Sequence, residues 1–170
     1  MAAKTGTYTL IASNTLGSAT SSVAFSSIPA TYTDLVLVVN AKGASNSNIR
    51  LQFNSDTATN YSRTVLYGTG ASAGSGRVSN FASIAIDAYA YLSTSDFSYN
   101  SITNIQDYSN STTYKTTLTR ANANATGVDA TAGLWRSTSA ITTITVFTND
   151  SGNFSIGSTF KLYGIEAGNL

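Results

Sequence analysis

Residues Leu35 to Val39, Leu-Val-Leu-Val-Val, are the longest unbroken run of bulky apolar side chains in the chain. The run is far short of the roughly 20 residues of a membrane-spanning helix. Its β-branched side chains instead suit a strand buried on both faces. Asp34 to Asn40 is therefore expected to be a central strand. Elsewhere apolar residues recur at every second position, and no window sustains the spacing of three and four that a helix requires. A chain patterned in this way builds sheets.

The strands can be placed along the chain. Tyr8 and Leu10 alternate with Thr7, Thr9 and Ile11, Val23 and Phe25 with Ser22 and Ala24, and Ile49, Leu51 and Phe53 with Arg50 and Gln52. Ile28-Pro29 closes the second of these, because proline donates nothing to a ladder. Further strands are expected at Val65 to Tyr67, within Phe81 to Leu92, at Ser98 to Tyr108, at Tyr114 to Arg120, around Leu134 to Arg136, at Ile141 to Thr148 and at Thr159 to Ile165. Gly68 to Gly76, with four glycines, reads as the most mobile loop, and Ala121 to Gly133 as a second long loop. About eight to ten short strands separated by turn signals describe an all-β, antiparallel β-sandwich of jelly-roll type. Residues 1–170 form one domain, with residues 1–6 as a candidate N-terminal arm.

Composition says how such a sandwich is filled. Ser and Thr make up 51 of 170 residues and Asn adds 15, whereas charged residues reach only 10%. Threonine suits a pleated sheet, and its hydroxyl is expected on the solvent face. The bulky core must lean on ten Tyr, seven Phe and one Trp. A net charge of +1 provides no broad field for nucleic acid or an anionic membrane, so neither is an expected partner.

The absence of His and Cys excludes disulfides, thiolate and imidazole metal sites, and every triad with an imidazole base. Seven Asp and the single Glu166 are the remaining acids, and they show no facing pair of the kind glycoside hydrolysis needs. Asp34, Asp56, Asp107 and Asp150 fall at strand ends or in turns, where an Asx side chain binds backbone N–H groups. Asp56 to Asn60 and Asn149 to Asn153 each gather oxygens about a single carboxylate, too little charge for a strong Ca²⁺ site. The glycine-rich 68–76 segment lacks a Walker lysine. Neither an enzyme nor a cofactor is expected.

What remains is a contact surface. A chain rich in Tyr, Ser, Asn and Gly and poor in Lys and Glu has the composition of one. The candidate contact residues are Tyr8, Tyr61, Tyr89, Tyr91, Tyr114, Trp135 and Arg136, and Tyr99 and Tyr108 belong to the same tyrosine set. Packing within the sandwich is the plainer expectation for Trp135, and tyrosines at sandwich edges and corners are an equal alternative to a tyrosine contact surface.

Several blocks carry a resemblance. Tyr8-Thr9-Leu10-Ile11 is followed by Val23-Ala24-Phe25-Ser26-Ser27-Ile28-Pro29-Ala30-Thr31-Tyr32-Thr33-Asp34-Leu35-Val36-Leu37, then by Leu51-Gln52-Phe53-Asn54-Ser55-Asp56 with Asn60-Tyr61-Ser62. Tyr114-Lys115-Thr116, Gly133-Leu134-Trp135-Arg136-Ser137-Thr138 with Ala140-Ile141-Thr142, and Gly157-Ser158-Thr159-Phe160-Lys161-Leu162-Tyr163-Gly164-Ile165 complete the series. The series resembles a family of small structural proteins of tailed bacteriophages. That resemblance implies a virion protein made in the host bacterial cytoplasm, with no catalytic residues to carry over. It points first to a head decoration (cement) protein on the capsid surface, homotrimeric, whose partners are the major capsid protein and copies of itself. A tail- or fibre-associated adhesin that binds host glycans is the alternative. Met1-Ala2-Ala3-Lys4 lacks the basic and apolar segments of a secretory signal, in keeping with a cytoplasmic origin.

Overall fold

The computed structural model describes residues 7–124, 127–150 and 152–166. The candidate arm of residues 1–6 lies outside the described residues. Twelve strands occur in the order β1 (Tyr8–Thr15), β2 (Ser22–Phe25), β3 (Asp34–Ala41), β4 (Ile49–Phe53), β5 (Tyr61–Gly68), β6 (Ala73–Phe81), β7 (Ile84–Ala85), β8 (Tyr99–Gln106), β9 (Lys115–Ala123), β10 (Gly127–Trp135), β11 (Ile144–Thr148) and β12 (Thr159–Ile165). They form an eight-stranded sheet, β1-β12-β3-β8-β9-β10-β5-β6, and a four-stranded sheet, β2-β11-β4-β7, antiparallel throughout.

Without the hairpins β5-β6 and β9-β10, the remaining eight strands run 1-8-3-6 in one sheet and 2-7-4-5 in the other. This is the double Greek-key order of a jelly roll. The two hairpins are additions that widen one sheet from four strands to eight. As expected, β3 is central, flanked by β12 and β8. Its Leu35, Leu37 and Val39 point into the core with Phe160 and Leu162 of β12 and with Leu51, Phe53, Ile144 and Val146 of the smaller sheet. The Leu10/Ala12 bulge disrupts the outermost strand β1, which limits its use as a template for edge-to-edge pairing.

Both expected loops are largely strand. β5 and β6 pair from Gly68↔Ala73 back to Tyr61↔Phe81, so Gly74 and Gly76 lie within a ladder. β9 and β10 pair from Ala123↔Gly127 to Lys115↔Trp135. Glycine, alanine and asparagine have weak strand preferences of their own, but a preformed neighbour that offers a full ladder overrides them.

The segment after β6 departs in the opposite direction. Of the strand expected within Phe81 to Leu92, only Ile84–Ala85 is one. The rest is held by two main-chain bonds, from the Ile86 N–H to the Ile49 carbonyl and from the Leu92 N–H to the Ser47 carbonyl, and otherwise by side chains. Asp129 Oδ2 accepts the consecutive N–H groups of Ala88, Tyr89 and Ala90 at 2.8, 2.9 and 2.8 Å. Asp87, fully buried, accepts from Asn48 Nδ2 at 2.7 Å and from the Ile49 N–H at 3.1 Å. Arg63 Nη1 donates to the main-chain carbonyls of Ala85 and Asp87. Three successive N–H groups aimed at one carboxylate cannot also serve a ladder. The segment thus lies as a lid over β9, β10 and β5, with Ile84 so close to Gly133 of β10 that a Cβ there would meet it at 2.8 Å.

Burial pushes the Asp87 carboxyl up to about 7, against the pull of the hydrogen bonds from Ile49 and Asn48. In the unfolded chain it ionises near pH 4, so between about pH 4 and about pH 7 the folded state keeps a proton that the unfolded state has released. Stability therefore falls as pH rises through that window and levels off above it. Melting temperatures measured across this range should decline, and Asp87→Asn should flatten the decline.

Candidate interaction surface

Strand β10 of the added hairpins reverses the usual arrangement of a sandwich sheet. In β10, Asp129, Thr131 and Gly133 face inward, and Val128, Ala130, Ala132 and Leu134 face outward. In β9, Thr117 and Thr119 face inward and Leu118 outward. Threonine was expected on the solvent face, yet Thr103, Thr117, Thr119 and Thr131 are all buried. Register accounts for two of them, whereas the Thr117 and Thr131 hydroxyls are buried without a hydrogen-bond partner among the described residues. Thr103, Thr119 and Thr131 are direct cross-strand neighbours, and the Thr103 and Thr119 hydroxyls bond at 2.8 Å. Beneath the lid, small β-branched side chains fit where larger ones would not.

The outer face carries apolar side chains among polar ones. Its rows follow from the register: Leu66, Ala130, Arg120, Ile102 and Val38 cross β5, β10, β9, β8 and β3, and Thr64, Ala132, Leu118, Asn104 and Val36 lie beside them. Leu66, Val128 and Leu118 are 61%, 57% and 56% exposed, although each sits on a regular strand of a wide sheet. Shallow depressions lined by Leu66, Val128 and Ala130, by Val38 and Ile102, and by Leu118 and Ala130 all include Arg120. Arg120 makes no hydrogen bond to any described residue. A free guanidinium in an apolar setting is well suited to binding across an interface, where arginine is enriched.

The sequence-expected contact residues do not come together. Tyr8 is exposed on β1 beside Ile165, at one end of the outer face. Tyr114 is exposed just before β9. Tyr89 is exposed and stacks on Tyr67 with ring centroids 3.9 Å apart, and Tyr91 is half-buried in the lid. Gly74 makes the Tyr67 position possible, since a Cβ there would meet the phenol oxygen at 2.6 Å.

Tyr61 and Trp135 are core residues rather than contact residues. Both are buried, with rings 6.2 Å apart and stacked, and Phe53 lies 5.6 Å from Trp135. Trp135 Nε1 donates to Asp56 Oδ2 at 2.7 Å, and the Tyr61 hydroxyl accepts from the Phe53 N–H at 3.1 Å. Burial pushes the Tyr61 phenol up to about 12. Tyr99 and Tyr108 are likewise buried. Arg136 is half-buried and ties strand ends together, donating to the Thr59 carbonyl at 2.8 Å and to Asn80 Oδ1 at 2.9 Å.

Asp56 does what its place in a turn suggests. It accepts from the Ala58 N–H, Asn60 Nδ2 and Trp135 Nε1. Burial opposes its ionisation, but these bonds outweigh burial and hold the carboxyl below its ordinary value. Its oxygens are committed to protein donors. Among the described residues no group of three or more acidic side chains is placed to hold a metal ion.

Lys115 gave no signal in the sequence. It is fully buried, and its ammonium donates to the carbonyls of Thr113 at 2.7 Å and Thr138 at 3.2 Å. Burial lowers its pKa and the charge of Asp107 opposes that shift. The Thr113 carbonyl is local, and the β9–β10 register, which puts Lys115 opposite Trp135, brings the Thr138 carbonyl within reach.

Fold and surface together define a widened jelly roll that, among the described residues, leaves Leu66, Leu118 and Val128 exposed on one sheet face. No protein-family model matches the chain, and no curated protein matches it.

Proposed function

We propose that the protein is a structural component of a bacteriophage virion, of the head-decoration kind, and that it assembles through the outer face of its eight-stranded sheet. The observation that carries this reading is the polarity of β10, where Val128, Ala130, Ala132 and Leu134 face out and Asp129 and Thr131 face in, with Leu118 of β9 and Leu66 of β5 exposed beside them. Such a pattern is costly for a free surface and natural for one covered in an assembly. Eight strands at about 4.8 Å spacing make a sheet roughly 34 Å across, and its rows extend roughly 20 Å along the strands, approaching the area of about 800 Å² per partner in a stable interface.

The proposed partners are the major capsid protein and further copies of this chain, arranged as trimers on the capsid surface. Its action there is mechanical. Many modest contacts to neighbouring subunits combine by avidity, so that removing any one subunit means breaking several contacts at once. The sequence resemblance to phage structural proteins supports the same reading.

Host-glycan binding by a tail- or fibre-associated protein is the second reading. It draws on the stacked Tyr67–Tyr89 pair, of which Tyr89 is exposed, an aromatic platform of the kind sugars stack on. Particles lacking the protein separate the two. Heads that burst on mild heating while adsorption is unchanged support decoration. Stable heads with lost adsorption overturn it in favour of the adhesin.

A further inference from the structure

A second polar feature lies at the rim of the sandwich, where the β5-β6 hairpin meets the edge strand β7. Arg50, Ser62, Arg63, Val78, Phe81, Ser83 and Ala85 line a cavity of about 110 Å³ there. At about 30 Å³ per water, that is room for three or four waters or one small oxyanion. Two guanidiniums share this space. Arg63 hydrogen-bonds main-chain carbonyls, and Arg50 makes a single long bond of 3.4 Å to Ser83 Oγ while its Cζ lies 5.5 Å from the centre of the Phe81 ring. Among the described residues no carboxylate oxygen is a hydrogen-bond partner of either guanidinium.

Arg50 Nε is buried with no hydrogen-bond partner. A buried, unpaired guanidinium N–H is unfavourable, and a second arginine close by adds to the cost. Burial, and after it the charge of Arg63, lower the Arg50 pKa, and the charges of Asp87 and Asp150 oppose the shift. The nearest carboxyl below the cavity, Asp87, is turned away toward Asn48 and Ile49. Two guanidiniums and a serine hydroxyl, with no carboxylate hydrogen-bonded to either arginine among the described residues, make the chemical complement of an oxyanion, which guanidinium binds in bidentate fashion.

We propose that this cavity is a binding site for a single small oxyanion of carboxylate to phosphate size, held between Arg50 and Arg63 against the Phe81 wall. The site is independent of the outer-face reading, because none of the apolar residues named for that face lines it.

Calorimetric titration with inorganic phosphate and, separately, sodium acetate at constant ionic strength tests it and distinguishes the two oxyanion types. Saturable one-to-one binding of at least one of them is expected. Arg50→Gln should weaken it by about tenfold or more, since a charge-assisted bidentate contact is lost. Arg50→Lys, which keeps the charge but not the fork, should retain part of the affinity and also serves should Arg50→Gln fail to fold. Arg120→Gln, on the outer face, should leave it unchanged. Absence of saturable binding to the wild-type chain, equal binding by the Arg50 variants, or an equal loss in Arg120→Gln would overturn the proposal.

Discussion

Asp129→Ala is expected to destabilise the fold by about 3 to 5 kcal/mol, the size seen when buried donors lose a charged acceptor. Asp129 Oδ2 is the sole acceptor for the N–H groups of Ala88, Tyr89 and Ala90, which together fix the lid over β9 and β10. Water can reach these groups only if the lid lifts and exposes Ile84, Ile86, Ala90 and Leu92, all now buried. For a chain of this length the melting temperature should fall by on the order of 10 °C. Asp129→Asn keeps an acceptor oxygen without the charge and should lose less. If thermal unfolding of Asp129→Ala matched the wild type, the lid would owe its position to something else.

Leu118→Asp should have little effect on the fold and a large one on assembly. Leu118 is more than half exposed, so in the isolated chain the change should stay within about 0.5 kcal/mol. In an assembly that covers the outer face, the same substitution removes an apolar anchor and places a carboxylate in a dry centre among Ala132, Asn104 and Val36. Incorporation into particles should then weaken by on the order of 100-fold, the loss typical of a central interface residue. Leu66→Asp on β5 should act in the same direction. Side-by-side sedimentation of particles with bound protein reads both variants, and normal incorporation of either would count against the face.

How much of this was legible in the residues depends on what each residue answers to. β3 and β12 were legible because their alternation is strong and local: Leu35, Leu37, Val39, Phe160 and Leu162 mark a buried face without outside help. Gly68 to Gly76 and Ala121 to Gly133 misled because their residues hold β structure only when β5 and β9 already supply a ladder. The Phe81 to Leu92 segment misled for the reverse reason. Its apolar pattern is strand-like, but Asp129, 39 to 41 residues away, takes its N–H groups.

The surface was harder still. Composition pointed to contact surfaces and to the tyrosines as their candidate residues, with Trp135 expected first as packing. Aromatic identity does not say which side of a sheet a residue occupies, and Trp135 and Tyr61 fell on the inner side. The polarity of β10 could have been noticed, since Val128, Ala130, Ala132 and Leu134 alternate cleanly with Asp129, Thr131 and Gly133. Only the fold says that the apolar set faces out. The Arg50–Arg63 cavity had no sequence signal, because sheet pairing brings the two together from separate strands.

The central claim is that the outer face of the eight-stranded sheet is covered in a phage particle. An electron cryomicroscopy reconstruction of intact particles tests it most directly. The account predicts density for this jelly roll on the outer surface of the head, with Leu66, Leu118 and Val128 buried against neighbouring subunits. A reconstruction in which that face is bathed in solvent, or in which the protein is absent from the head, would contradict it.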